Sequence, residues 1–170
     1  VGMALFWYNT AVWPISLETS SCRMVLNQDG SVQVQTGETE IGQGCDTAFA
    51  QMAADAVGIP VSDVHVVTAQ DTDVTPFGTG AYASRQTYVG GFAIAQTGAL
   101  LKERILKYAC ELTRQMPALL DIVDGRIIRK TDGRVLMTLG ELATEALYSL
   151  SHSEHLTAES TYQIKNNAYS

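Results

Sequence analysis

Two glycine-rich loops contain the residues of this chain whose types and spacing could bind a ligand. The first reads TGETEIGQG at residues 36–44, and in it Gly42 and Gly44 flank Gln43. Glycine lets the backbone turn sharply and approach a ligand closely, while Gln43 offers an amide donor and an acceptor. A helix predicted from Gly44 would point its unpaired N–H groups to the same place. A plain strand-to-helix turn has the same pattern, so spacing alone leaves both interpretations open.

The second loop reads GTGAYASRQ at residues 78–86 and also precedes a predicted helix. It lacks the third glycine of a dinucleotide-binding fingerprint, and it is instead typical of an anion-binding nest that opens a helix. Ser84, Arg85 and Gln86 could bind phosphate there. The alternative is that Ser84 is only an N-cap and Arg85 lies in solvent. Together the two loops predict a phosphate-bearing organic cofactor held by main-chain amides.

Other chemical patterns are weak, and we predict no catalytic residue and no metal ligand in the chain. Asp71 and Asp73 do not have the spacing of a calcium loop. His152 and His155 have no recognisable third partner for zinc. Ser84 has no histidine and acid in the arrangement of a hydrolase triad.

Composition excludes several classes of protein. The 170 residues are 46 % apolar with a net charge of −7, which favours a folded core and disfavours nucleic acid as a partner. The three cysteines, Cys22, Cys45 and Cys110, contain no C-x-x-C pair, so we expect reduced thiols and no iron–sulfur or zinc site. Because no apolar run reaches about 18 residues, we expect a cytoplasmic protein without a membrane span.

The order of predicted elements indicates an α+β fold, a mixed sheet with packed helices. The start of the chain is apolar and lacks an initiator Met, so we expect residues 1–170 to be a fragment of one larger domain, with a polar tail from about residue 151 that is either mobile or truncated. Three glycines, Gly90, Gly91 and Gly98, would allow the long helix to pack closely against a neighbour. The predicted elements are a strand over 1–8, a hairpin of 22–26 with 31–35 around Asp29-Gly30, a helix over 44–57 ended by Gly58, a strand over 64–68, a helix over 84–113, a pairing of 122–128 with 135–138 and a helix over 139–150.

The two loops also resemble a known family. The run GETEIGQG at residues 37–44 is similar to the Gly-x-x-Glu-Met/Ile-Gly-Gln-Gly motif of the xanthine dehydrogenase and aldehyde oxidase family of molybdenum hydroxylases. The run GAYASR at residues 80–85 resembles the Ser-Arg loop of bacterial members, and the elements between the two loops follow the family's order. The resemblance extends from residue 1 to about residue 130. It implies that the chain is part of the C-terminal molybdopterin-binding domain of a large subunit.

The resemblance also implies a cofactor and its contacts. The cofactor is a molybdopterin with molybdenum, in bacteria usually the cytosine dinucleotide form. Gln43 matches a Gln that contacts it, with Gly42 and Gly44 allowing the approach. Four residues match the loop that lines the pterin phosphate region, namely Ala83, Ser84, Arg85 and Gln86. Iron–sulfur clusters and FAD would be on partner subunits or domains, and the family's catalytic Glu lies outside this chain.

The function that follows is oxidation of xanthine or hypoxanthine, with water as the oxygen source. We expect the 170 residues alone to be inactive. Two alternatives stay open at this point. One is a molybdenum enzyme acting on another small molecule, such as an aldehyde or an aromatic thioester, and the other is a cofactor-free interaction domain that kept the scaffold.

Overall fold

Helices and strands alternate irregularly in the computed structural model, which describes residues 1–8, 10–12, 18–150 and 153–164. One turn of π-helix, Gln86–Gly90, leads directly into the longest helix. The predicted α+β class is confirmed. The main elements are β1 (Thr19–Leu26), β2 (Val32–Thr36), α1 (Cys45–Val57), β3 (Val64–Val66), α2 (Gly91–Thr113), β4 (Leu120–Val123), β5 (Arg126–Arg129), β6 (Arg134–Thr138), α3 (Leu139–Tyr148) and β7 (Thr157–Gln163).

A four-stranded sheet in the order β3-β2-β1-β7 forms one wall of the core. β1 is antiparallel to β2 and β7, and β3 is parallel to β2. The predicted turn at Asp29-Gly30 is confirmed: Gly30 has a φ of +90°, and Asp29 Oδ1 accepts the Ser31 N–H at 2.9 Å. Alternate residues of this hairpin join the buried cluster beneath the helices, as the alternating pattern predicts: Cys22, Met24, Leu26, Val32 and Val34.

Helices α1 and α2 pack against each other at glycine positions, as predicted. A Cβ added to Gly91 would lie 2.8 Å from Met52 Sδ, and one added to Gly98 would lie 2.6 Å from Ala56 Cβ. Gly58 ends α1 with a φ of +95°. Because α1 follows the first glycine-rich loop and α2 follows the second, this contact fixes how the two loops lie relative to each other. No helix within the described residues is long and apolar enough to cross a membrane.

A smaller antiparallel sheet, in the order β4-β5-β6, is followed by α3. The prediction of one strand over residues 122–128 is wrong, because Asp124 and Gly125 form a turn with φ values of +48° and +70° between β4 and β5. The predicted pairing around Asp132-Gly133 is confirmed by the β5–β6 register. Helix α3 begins at a capping box in which the Thr138 hydroxyl accepts the Glu141 N–H at 3.2 Å.

Both ends of the described chain differ from expectation. Residues 1–8, predicted to be a buried strand, have no regular secondary structure and are exposed; Trp7 is 85 % exposed. Apolar composition indicates that a segment favours burial, but it does not specify a partner to cover it. Residues 157–163 belong to the tail predicted to be mobile or truncated, and they form β7 beside β1, so this part of the tail is ordered.

Candidate functional site

The two glycine-rich loops contact each other through their backbones. Gly37 of the first loop and Gly78 of the second are so close that a Cβ added to Gly37 would lie 2.3 Å from the Gly78 nitrogen. Ser20 of β1 forms a bridge with Gly78, and the Ser21 N–H donates to the Phe77 carbonyl at 2.8 Å. Only glycine allows this approach. The structure therefore brings together the two segments that the sequence singled out.

The first loop is organised around the carboxylate of Glu40. Gly42 and Gly44 have φ values of +98° and +82°, as expected for glycines that bend the chain. Their N–H groups donate to Glu40 Oε1 at 2.7 and 2.9 Å, and the Asp46 N–H donates to Oε2 at 3.2 Å. These hydrogen bonds, to which Gly44 contributes most, lower the pKa of Glu40 to about 2.

This arrangement corrects one part of the sequence-based hypothesis. The N–H groups at the start of α1 were expected to bind the cofactor phosphate, but Glu40 takes those of Gly42, Gly44 and Asp46. A helix start attracts an anion, and here the anion is a side chain of the same loop. Gly42 and Gly44 can still allow close approach, because a Cβ added to either would meet nothing within 4 Å.

Gln43 lies at the exposed tip of the first loop, and its amide is oriented by three contacts. Its Oε1 accepts the Ile41 N–H at 2.6 Å, and its Nε2 donates to the Thr39 carbonyl at 3.0 Å. Nε2 also donates to Oε1 of Gln86 in the second loop at 2.5 Å. Gln86 is buried and donates in turn to the Thr39 carbonyl at 2.8 Å. Gln86 therefore acts as a side-chain link between the loops, and it positions Gln43.

The second loop offers main-chain donors from an unusual backbone conformation. Ala83 and Ser84 have φ values of +47° and +53°, which non-glycine residues rarely adopt. Such conformations cost energy and are found where surrounding structure imposes them, often at binding sites. No acceptor among the described residues takes the N–H groups of Ala83 and Ser84, whereas the Ala83 carbonyl accepts the Ala11 N–H at 2.7 Å. The prediction that Ser84 is a helix N-cap is wrong, since the π-turn begins without a side-chain cap.

Arg85 is the clearest correction to the predicted site. Its side chain was expected either to bind phosphate or to lie in solvent, and it does neither. The guanidinium is fully buried between the carboxylates of Glu18 and Glu38, at 2.6 and 2.8 Å. Burial opposes its charge, but the hydrogen bonds to Glu18 and Glu38 outweigh this and raise the pKa of Arg85. A phosphate cannot reach these donors.

The remaining candidate groups support no separate catalytic or metal site. Glu40, Cys45 and Asp46 have ligand atoms within 4.8 Å of one another. However, both oxygens of Glu40 already accept loop N–H groups, and burial, with the nearby carboxylates of Asp46 and Glu40, raises the pKa of the Cys45 thiol to about 12. His155 is exposed, and His152 lies outside the described residues. The prediction of reduced thiols is confirmed for Cys22, Cys45 and Cys110.

The donor set of the two loops fits an anionic, oxygen-rich cofactor. The backbone N–H groups of Gln43, Ala83 and Ser84 have no acceptor among the described residues, and the Ser84 side chain is exposed. Open glycine positions in the first loop leave room for a large group. Such an array of uncharged donors binds oxyanions and carbonyl edges without lysine or arginine.

Sequence reasoning missed three acidic residues that build this site. From the sequence, Glu38 and Glu40 are only members of a motif and of an acidic set without the spacing of a calcium loop, and no pattern marks Glu18. A carboxylate two residues before a Gly-x-Gly turn is the pattern that could have identified Glu40 as its internal acceptor. No local pattern links Glu18 to Arg85, because they are 67 residues apart in the chain.

Comparison with known proteins agrees with this geometry. The sequence pattern of the molybdopterin cofactor-binding domain family matches residues 1–170. The chain is 45 % identical over 168 residues to the putative xanthine dehydrogenase molybdenum-binding subunit XdhA of Escherichia coli K12, covering 98 % of this chain and 22 % of that protein. It is 33 % identical over 128 residues to the carbon monoxide dehydrogenase large chain of Hydrogenophaga pseudoflava, covering 75 % of this chain and 16 % of that protein.

Solved structures give the same result. Quinoline 2-oxidoreductase from Pseudomonas putida 86 superimposes with a TM-score of 0.75 at 29 % identity, over 87 % of this chain and 19 % of that chain. The Cu,Mo-containing carbon monoxide dehydrogenase superimposes with a TM-score of 0.77 at 27 % identity, over 92 % of this chain and 20 % of that chain. The chain thus spans only about a fifth of the length of these proteins. It belongs to the molybdopterin cofactor-binding domain family.

Proposed function

We propose that this chain forms part of the molybdenum-cofactor site of an oxidoreductase that hydroxylates a purine such as xanthine or hypoxanthine. The observation that carries the proposal is the juxtaposition of the two loops. The hydrogen bond from Gln43 to Gln86 joins the loops, and the N–H groups of Gln43, Ala83 and Ser84 are left without acceptors among the described residues. The similarity to a xanthine dehydrogenase molybdenum-binding subunit supports the purine substrate.

The residues of the two loops have distinct parts in holding the cofactor. Gln43 presents its backbone N–H and the remaining lone pair of Oε1, since both hydrogens of its Nε2 are already donated to Thr39 and Gln86, and Gly42 and Gly44 leave space for close approach. Ala83 and Ser84 donate their N–H groups to phosphate or carbonyl oxygens. Gln86 orients the Gln43 side chain through their hydrogen bond, so we assign Gln86 a positioning role. When bound, the cofactor supplies the two-electron oxidation of a substrate carbon, with oxygen drawn from water.

Further features of the full-length protein belong to the same proposal. We place the catalytic Glu outside residues 1–170, and we expect the isolated chain to be inactive. The cofactor would be the cytosine dinucleotide form of molybdopterin. Electrons would leave through iron–sulfur clusters and FAD on partner subunits or domains, and the lack of a C-x-x-C pair in this chain fits that division.

The test is the cofactor content of the full-length protein, produced in a host that makes molybdopterin. We expect molybdenum and an acid-released cytidine nucleotide in the wild type, and a severalfold loss of both in Gln43→Ala. Gln51→Ala is the matched control, since it removes the same amide from the exposed side of α1. Properly folded wild-type protein without molybdenum or nucleotide would refute the proposal and favour a cofactor-free interaction domain.

A second candidate substrate class follows from the carbon monoxide dehydrogenase similarity. Under this alternative the cofactor is the same, but the protein oxidises a different small molecule, such as an aldehyde or carbon monoxide. Assays of the loaded full-length protein with xanthine, hypoxanthine, an aldehyde and carbon monoxide distinguish the two. Turnover of a purine supports the first candidate, and turnover of only the other substrates supports the second.

A further inference from the structure

Arg85, with Glu18 and Glu38, forms a fully buried cluster of three charged side chains. The Arg85 Nε–H donates to Glu18 Oε2 at 2.6 Å, and Nη1 donates to both oxygens of Glu38 at 2.8 and 3.0 Å. Glu18 precedes β1, Glu38 lies in the first loop, and Arg85 lies in the second. One guanidinium therefore connects three segments that are distant in the sequence.

Backbone acceptors complete the environment of the guanidinium. Nη1 also donates to the Gly80 carbonyl at 3.0 Å, and Nη2 donates to the Thr19 carbonyl at 2.6 Å. The other oxygen of Glu18 accepts the Val12 N–H at 2.8 Å. The guanidinium is a rigid planar fork, so each of these contacts fixes a direction as well as a distance. A flexible lysine ammonium could not satisfy the same set.

Stability alone is a poor explanation for such a cluster. Removing three charged groups from water is costly, and well-packed apolar residues often replace a buried ion pair without loss of stability. What the cluster provides in addition is a defined geometry between the loops that it joins. Directly before Arg85 lie Ala83 and Ser84, whose positive φ values of +47° and +53° persist only if neighbouring contacts impose them.

We propose that Arg85 is a positioning residue that uses Glu18 and Glu38 to hold both cofactor loops in one preformed arrangement. This inference rests on the proposed function, because it specifies how that same site is prepared for its cofactor. The Arg85 side chain does not touch the cofactor. It acts by keeping the N–H groups of Ala83 and Ser84 directed outward while it fixes the start of the first loop through Glu38.

The experiment uses two conservative variants of the full-length protein. Arg85→Lys keeps the positive charge but loses the planar fork, and Glu38→Gln keeps the shape but loses the carboxylate charge. The matched control is Arg23→Lys, which alters an exposed ion pair at 2.7 Å between β1 and β7. Hydrogen–deuterium exchange of residues 37–44 and 80–86 is measured on cofactor-free protein, and molybdenum content is measured on protein from a cofactor-producing host.

We expect each test variant to accelerate exchange in both loops by about tenfold while exchange in α1 and α2 stays as in the wild type. We also expect molybdenum content to fall severalfold, with Arg23→Lys unchanged in both measurements. If Glu38→Gln accelerates exchange only in residues 37–44, or if Arg85→Lys does so only in residues 80–86, the coupling is refuted. Wild-type molybdenum content retained in both variants refutes it as well.

Failure of this inference is distinct from failure of the proposed function. A wild-type protein without molybdenum refutes the cofactor proposal, and the inference that depends on it. A wild-type protein that holds molybdenum, with variants that exchange and load normally, refutes only the role of Arg85. If Arg85→Lys does not fold, Glu38→Gln decides the matter, because it changes a single atom type within the same contacts.

Discussion

Replacing Gly98 by alanine tests whether the contact between α1 and α2 is as tight as the structure indicates. A Cβ at position 98 would lie 2.6 Å from the Ala56 Cβ of the facing helix. Non-bonded carbon atoms prefer separations of about 3.5–4.0 Å. The two helices would therefore have to part by about 1 Å to accept the methyl group. Since each helix begins directly after one of the cofactor loops, the loops would move with them.

The expected loss of stability is the difference between two opposing terms. Alanine is favoured over glycine inside a helix by about 1 kcal/mol. Overpacking a tight interior site costs about 1–3 kcal/mol, and a separation of 2.6 Å belongs at the upper end of that range. Taking about 3 kcal/mol against about 1 kcal/mol, we expect Gly98→Ala to lower the free energy of unfolding by about 2 kcal/mol. The melting temperature should fall by about 4–8 °C.

Thermal unfolding of three variants measures this directly. Ala56→Gly removes the facing methyl and should cost about 1 kcal/mol in helix propensity. The double variant removes the clash and leaves ordinary contacts of 3.6 Å to Val57 Cγ2 and 3.7 Å to the carbonyl carbon of residue 56, so it should recover almost to wild-type stability. The coupling energy between the two positions should be about 3 kcal/mol. Higher stability of Gly98→Ala than wild type, or additive effects in the double variant, would refute the reasoning.

Three further results are expected. The loop N–H groups lower the pKa of the Glu40 carboxylate from 4.5 to about 2. The carboxylate should therefore stabilise the first loop fully above pH 4.5 and lose this contribution as the pH falls toward 2. In an NMR titration the Gly44 amide should report the low pKa, and a midpoint near pH 4.5 would contradict the hydrogen bonding. Gln86→Ala should reduce the molybdenum content of the full-length protein, because Gln43 is no longer held in place, and should lower the free energy of unfolding by only about 0.5–1.5 kcal/mol. Wild-type molybdenum content in this variant would show that Gln43 needs no support from Gln86. Phe49 lies in the fully buried core, so Phe49→Ala should lower the free energy of unfolding, measured with denaturant, by about 3–5 kcal/mol. A loss below about 1 kcal/mol would mean that neighbouring side chains fill the cavity or that Phe49 is not tightly packed.

Parts of the fold that depend on local patterns were predictable from the sequence. The Asp29-Gly30 turn and the alternation around it define the β1–β2 hairpin, and Gly58 ends α1. The Asp124-Gly125 turn has the same signal, but the apolar residues on both sides obscured it. β7 was not predictable, because its sequence is polar and its strand conformation comes from pairing with β1.

The candidate site, like the fold, has features that the sequence predicts and features that it does not. The bends at Gly42 and Gly44, and the exposed Gln43 between them, follow from residue types alone. The burial of Arg85 does not, because an arginine is mostly exposed unless it is paired, and its partners lie 47 and 67 residues away. The capture of the loop N–H groups by Glu40 does not follow from the sequence for a different reason: an N–H group near a helix start can donate equally well to a ligand or to a carboxylate of its own loop.

The pairing of β1 with β7 has a consequence for the order in which the protein folds. Thr19 and Tyr162 are 143 residues apart and are joined by a hydrogen bond of 2.9 Å, whereas β2 follows β1 after a short turn. Closing a loop of that size costs about 2 kcal/mol more than closing one of about ten residues. The β1–β2 hairpin can thus form early, while β1 keeps one edge unpaired until residues 157–163 have been synthesised. During that interval this edge is open to intermolecular strand addition, so β7 both completes the sheet and protects the edge of β1 from pairing with another chain.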